Sequence, residues 1–291
     1  MSRVHLIISA SRGSGGGTTH LGRVVSRILS RRPDWKIEVH GSEEVLQAAF
    51  GRTNEPFMRP LAHSGYGSRI AWEFSELPDL LKKSPLAIAY SPFGTLMNLA
   101  IAPRTVWSAR NIIPLLPSSE WEVVTSDRPR NWGLRALFCA AAKTSPAVIC
   151  VSQHAAQRLS DLAGIARETI HVVPHGAERA QSDTRCESDA AEEVRRTRYF
   201  LNVGPAMPYR RLHELLRGYA MAREKVLDLP RLVLVGSARR IDAAYARQAA
   251  ALAAPLVRAG AVVQLGQLSN ADVLRLTARA EAIVYPSVHE D

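Results

Sequence analysis

Short runs of aliphatic and β-branched residues alternate along the chain with longer stretches whose apolar positions recur every three to four residues. The first kind suits strands buried on both faces, and the second suits amphipathic helices. Their alternation predicts an α/β fold with parallel sheets built from strand–helix–strand crossovers. In the first half the predicted strands are Val4–Ser9, Trp35–His40, Leu86–Tyr90, Thr105–Ser108, Ala147–Ser152 and His171–Val173. Helical patterns occupy His20–Ser30, Ser68–Lys82 and Trp132–Thr144, while residues 41–67 carry little pattern and read as a loop region.

The second half is more regular. Strands Tyr199–Val203, Leu232–Val235 and Val262–Leu265 each run directly into a glycine, at Gly204, Gly236 and Gly266. Helices follow at about Arg210–Lys225 and Asp242–Leu256, and a third starts near the N-cap Ser269. A last strand, Ala282–Tyr285, leads into Pro286-Ser287. Residues 177–198 are polar, lack apolar periodicity and follow the turn Pro174-His175-Gly176, which marks them as a linker. The expected organisation is therefore a first domain over 1–176, a linker over 177–198 and a second domain over 199–291.

Composition narrows this picture. With 291 residues, 46% apolar and 22% charged, the chain has enough material for two globular cores and reads as a soluble protein. Cys139, Cys150 and Cys186 show no CxxC or metal-ligand spacing, so reduced thiols in the cytoplasm are expected. The apolar run Val4–Ile8 is too short for a secretory signal core. Ser84–Pro103 carries no charge but is broken by Ser91-Pro92-Phe93-Gly94, which favours a strand, a loop and a new element over a spanning helix.

The net charge is +10, and it is uneven: residues 1–180 hold 21 Lys+Arg against 14 Asp+Glu (+7), the rest 16 against 13 (+3). A basic first half is compatible with peripheral contact with an anionic membrane, on the inner face of the plasma membrane, and equally with an arginine-rich background. No nucleic-acid-binding motif accompanies the charge, so nucleic acid is not an expected partner.

Three segments carry candidate chemistry. Gly13-Ser14-Gly15-Gly16-Gly17-Thr18-Thr19-His20 joins the first strand to the first helix, where bare backbone N–H groups can receive a phosphate. A plain connecting turn has the same composition. After Gly204, the loop Pro205-Ala206-Met207-Pro208-Tyr209 leads to Arg210 and Arg211 at a helix start. Cations there oppose the helix dipole unless an anion binds, so the pair reads either as a phosphate clamp or as solvated surface arginines. Ala282–Tyr285 delivers Pro286-Ser287-Val288-His289-Glu290-Asp291, whose carboxylates either accept sugar hydroxyls or simply end a polar loop.

In this order and spacing the segments resemble retaining glycosyltransferases of the family 4 type. Ala147–Ser152 followed by Gln153–Leu159, Ile170-His171-Val172-Val173-Pro174-His175-Gly176, Gly204 through Arg210-Arg211-Leu212, Leu234-Val235-Gly236, Val263–Gly266 with Ala271-Asp272-Val273, and Pro286–Glu290 are each similar to a segment of that family. The resemblance implies a GT-B fold, with two Rossmann-like domains facing across a cleft that binds a nucleotide sugar. It implies hexosyl transfer from a nucleoside-diphosphate sugar, with retention, to a cell-envelope glycan or lipid-linked acceptor. No metal or other cofactor is implied, and no Asp-x-Asp motif is present.

The resemblance also implies residue roles. Arg210 and Glu290 are the catalytic candidates, Arg210 in place of a phosphate-clamping lysine and Glu290 on the donor sugar. Gly15, Gly16, Gly17, Gly204, Arg211, Gly236, Gly266 and Leu268 are the donor-binding candidates, and Arg110 and Asn111 fall on the acceptor side. Two departures stand out. Pro205 occupies a place where the family usually has arginine, and the chain stops one residue after Glu290, so the second domain is expected to be incomplete. A non-catalytic or decayed subunit that binds a nucleotide sugar or a partner chain is the competing expectation. A GT-B epimerase or a starch-type synthase is the alternative among enzymes.

Overall fold

A computed structural model describes residues 4–10, 16–61, 66–92, 96–110, 113–121, 128–176, 184–236 and 243–288. These fall into two compact units: residues up to 117 with 128–175, and residues from 176 onward, to which 118–121 are joined.

The first unit runs β1 (His5–Ser9), α1 (Gly16–Arg31), β2 (Lys36–Gly41), α2 (Glu43–Phe50), β3 (Met58–Pro60), α3 (Tyr66–Ser75), α4 (Leu77–Lys83) and β4 (Ala87–Ser91). It continues with β5 (Thr105–Ala109), α5 (Arg128–Thr144), β6 (Ala147–Cys150), α6 (Gln153–Ala163) and β7 (Ile170–Val172). The seven strands form one parallel sheet in the order β3-β2-β1-β4-β5-β6-β7. All five residues of β1 are buried, as expected for a strand covered by helices on both faces. Leu6 and Ile8 pack with Leu21 and Val25 of α1 and with Val39 and Leu46. Elsewhere in the sheet Trp107 meets Phe138 of α5 edge to face at 5.2 Å.

Two elements differ from the sequence reading. Within residues 41–67, α2 forms because Ser42 caps it through Val45 N–H (3.4 Å), Glu43 and Glu44 suit the positive helix start, and Gly51 closes it at φ 72°. Two turns bury only Val45 and Leu46, too little for a visible period. The single helix expected over Ser68–Lys82 is two, because Pro78 has no N–H to continue α3 and serves as an opening residue of α4. A buried ion pair ties α3 to the chain after β4. Arg69 Nη2 donates to Glu73 Oε1 at 2.5 Å, and Glu73 Oε2 accepts from Met97 N–H at 3.2 Å.

The second unit contains α7 (Asp189–Arg195), β8 (Tyr199–Val203), α8 (Leu212–Lys225), β9 (Arg231–Val235), α9 (Ala243–Arg258), β10 (Val262–Gly266), α10 (Asn270–Arg279) and β11 (Ala282–Ile283). Its four strands are parallel, in the order β10-β9-β8-β11. Alternate residues of β9 serve the two faces. Leu232 packs with Leu216, Ala249 and Ala253, while Val233 and Val235 pack with Tyr199, Leu201 and Leu276.

Inside the polar stretch read as a linker, α7 buries Ala191 and Val194 in the second of these clusters. The buried Asp272 holds the approach to α7 by accepting from the N–H groups of Glu187 (2.8 Å) and Ser188 (2.9 Å). Cys139, Cys150 and Cys186 are free thiols. Among the described residues no helix is long and apolar enough to cross a membrane.

Candidate functional site

In the second unit, three parallel strands finish side by side in glycine. Gly204 N–H donates to Val235 C=O and Gly236 N–H to Gly266 C=O, both at 2.7 Å, so the three turns form one hydrogen-bonded rim. Gly204 has φ 136° and Gly236 φ 140°, conformations that side-chain-bearing residues rarely adopt. Both sites are also crowded. A Cβ on residue 236 would fall on the Gly204 carbonyl, and one on residue 204 would fall on the Arg210 guanidinium.

Arg210 follows the loop after β8, in the turn Pro208–Arg210. Its Nη1 donates to Val203 C=O at 3.1 Å and to the Tyr285 hydroxyl, and its Nε reaches the Tyr209 hydroxyl at 3.3 Å. The guanidinium carbon lies 5.5 Å from the Tyr209 ring centre and 5.1 Å from that of Tyr285. Two rings and a carbonyl therefore fix a permanent cation at the carboxyl end of β8, where open α/β sheets receive ligands. Tyr285 is kept there by the chain around it: Asn202 donates to Val284 C=O at 2.8 Å, and Val288 N–H donates to Tyr209 C=O at 3.0 Å.

Arg211 caps α8 from a left-handed conformation (φ 50°, ψ 42°), the one positive φ outside glycine among the described residues. Its Nη1 stands 3.5 Å from Glu214 Oε1. The α8 start thus has no side-chain cap, and strain of this kind gathers at ligand sites. Gly266 closes β10, and Leu268 beyond it packs partly into the Val233–Leu276 core. Ser287 places its hydroxyl in a buried position without a hydrogen-bond partner among the described residues.

In the first unit, Gly16 and Gly17 open α1, at a helix end that favours anions. Gly15, Asn111 and Glu290 lie outside the described residues. Arg110 follows β5 and donates to Pro92 C=O at 3.4 Å. Two histidines that the sequence reading did not place accompany it. His20 and His175 meet edge to face, with ring centres 5.2 Å apart. Burial, then Arg110, then His175 push the His20 pKa down to about 4, and burial and Arg110 lower that of His175. Burial also lowers the pKa of Arg110, and Tyr90, paired with Ser108 at 3.0 Å, has its own raised by burial.

The sequence signals for these groups were slight. His20 closes the glycine cluster, and His175 stands where the resembling family has asparagine. Tyr209 and Tyr285 are ordinary neighbours of an arginine and a proline in the sequence, and only the fold sets both against Arg210. Among the described residues no group of three or more His, Cys, Asp or Glu is arranged to hold a metal ion.

Residues 14–181, more than half of the chain, match the model of Glycosyltransferase Family 4. No curated protein matches the chain significantly. Among solved structures, Anabaena Alr3699/HepE in complex with UDP-glucose superposes with a TM-score of 0.67 at 15% identity, over 99% of this chain and 75% of that one. WaaG, a glycosyltransferase involved in lipopolysaccharide biosynthesis, gives 0.63 at 14%, over 99% and 76%. A glycosyltransferase from Rickettsia africae gives 0.61 at 13%, over 100% and 75%. The fold is that of GT-B glycosyltransferases, two units each built on a parallel sheet.

Proposed function

The chain belongs to glycosyltransferase family 4, and we propose that it transfers a hexosyl unit from a nucleoside-diphosphate sugar, with retention, to a glycan or lipid-linked acceptor of the cell envelope. The observation that carries this reading is the Arg210 cation, fixed by Tyr209, Tyr285 and Val203 C=O beside the bare turn at Gly204. As the bond from the anomeric carbon to the diphosphate breaks, negative charge gathers on the leaving oxygens. A cation already held in place stabilises that charge without reorganising. Arg210 therefore clamps the diphosphate, while Arg211 supplies the second cation that Pro205 does not. Gly236, Gly266 and Leu268 border the base, and Glu290 takes the sugar hydroxyls.

HepE binds UDP-glucose, which makes UDP-glucose the first donor to try. WaaG, involved in lipopolysaccharide biosynthesis, points the acceptor toward the cell envelope. The basic excess of the first 180 residues suits a cytoplasmic enzyme working against the inner, anionic face of a membrane.

The test is calorimetric titration of Arg210→Ala and Arg210→Lys with UDP-glucose and UDP. Losing one or two charge-assisted hydrogen bonds at about 1.5–3 kcal/mol each predicts a drop in affinity of about tenfold or more for Arg210→Ala. Arg210→Lys should fall between that and the unaltered chain, since it keeps the charge and loses the fork. Unchanged affinity in Arg210→Ala would remove the clamp from the proposal.

A further inference from the structure

The strand order of the first unit reverses between β1 and β4, and in open α/β sheets the carboxyl-edge crevice at such a reversal is where ligands enter. Three cationic or protonatable side chains gather at this edge from separate parts of the chain. His20 comes from the second turn of α1, Arg110 from the residue after β5, and His175 from the segment after β7. The two imidazoles touch, and the Arg110 charge acts on both.

The cluster lacks what such groups ordinarily have. Among the described residues, Nε of Arg110 and Nε2 of His20 are buried and find no hydrogen-bond partner, and no carboxylate pairs with any of the three. A half-buried guanidinium without a counter-ion among the described residues carries an uncompensated desolvation cost, and burial beside it lowers the pKa of both imidazoles. His175 is exposed, so the cluster is open to solvent on one side. An incoming anion would reverse each of these costs together.

We propose that His20, Arg110 and His175 form a receptor for a phosphoryl group within the first unit. The class of ligand follows from the donor set. A carboxylate is satisfied by one guanidinium fork, whereas a phosphoryl group offers three acceptor oxygens and up to two charges. Arg110 supplies the fork and two imidazolium N–H groups supply the rest. The inference rests on the glycosyltransferase reading only in its choice of source: the phosphoryl group is a phosphomonoester carried by the acceptor.

The test uses the whole chain, with histidine side chains followed by NMR through a pH titration, first in a non-coordinating buffer and then in inorganic phosphate. Phosphate should move the His20 and His175 titrations upward by about 1–3 pH units, the usual effect of an opposite charge at close range. Arg110→Gln should raise His20 in plain buffer, because a neighbouring cation is gone, and should abolish the phosphate response. Should that variant fold poorly, His175→Gln, at an exposed position, should weaken the response of His20 to phosphate while leaving the fold intact.

The source is read by adding saturating UDP. A phosphate response that persists supports the acceptor source, and one that UDP reproduces and blocks overturns it. No shift in phosphate, an equal shift in acetate, or a shift that survives Arg110→Gln overturns the receptor. The response to phosphate itself is read without UDP or UDP-glucose, so the receptor and the clamp can fail separately.

Discussion

Gly204 and Arg210 compete for one volume: the Arg210 guanidinium fills the space that a side chain on residue 204 would need. The loop after β8 folds its arginine back over the strand end, and that is possible only while the strand ends in bare backbone.

Gly204→Ala should therefore act on the ligand site as well as on stability. The φ of 136° alone predicts a loss of about 1–3 kcal/mol in urea unfolding. Displacement of Arg210 adds a drop in UDP-glucose affinity. In the Arg210→Ala background the same change should have little further effect on affinity, a coupling that a double-mutant cycle measures. Additive effects would mean that the two residues act independently.

Acid should weaken the fold through its buried histidines. His20, held down to about 4, binds its proton in the unfolded chain well before it does so in the folded one. His5 and His40, both lowered chiefly by burial, act in the same direction. A folded-state pKa below the unfolded value means that stability is fully present above about pH 6.5 and declines as pH falls toward about 4. Urea unfolding at a series of pH values should show that decline, and His20→Gln should make it shallower. A flat profile between pH 6.5 and 4 would contradict the buried, neutral histidines.

Transfer should survive chelation. Arg210 is a permanent cation already in place, so the clamp reading asks for no divalent ion. Rates measured with and without EDTA should agree within about twofold, well under the tenfold that 1.4 kcal/mol represents. Activity lost to EDTA and restored by Mg²⁺ or Mn²⁺ would show that arginine alone does not carry the diphosphate charge.

Asp272 should prove structural. Its buried carboxylate accepts from Glu187 N–H, Ser188 N–H and Arg275 Nη1. Asp272→Ala is expected to cost about 2–4 kcal/mol. It should also open the segment before α7 to proteolysis, with Asp272→Asn intermediate. A loss below about 0.5 kcal/mol, within the range of an ordinary surface change, would show that the segment is held by other contacts.

The α/β architecture was legible because strands covered on both faces are continuous apolar runs, as in β1 and β9, and because β8, β9 and β10 each announce their ends with glycine. Short-range devices were less legible. The helix α2 depends on a serine cap and a glycine stop and not on periodicity, and one proline turns an expected helix into α3 and α4. At the candidate site Arg210 could be singled out as a cation after a strand, but the rings that hold it come from Tyr209 and from Tyr285, far along the chain. His20, Arg110 and His175 share no motif at all. Their meeting is a product of sheet order, which a linear pattern does not contain.

The rim of the second sheet also behaves as a mechanical train. A methyl group added at residue 236 presses on the carbonyl of Gly204, and Gly204 in turn bears against the Arg210 guanidinium. Bulk introduced at the neighbouring strand end is thereby converted into a displaced charge. Position 236 is a place where size alone tunes the electrostatics of a neighbour.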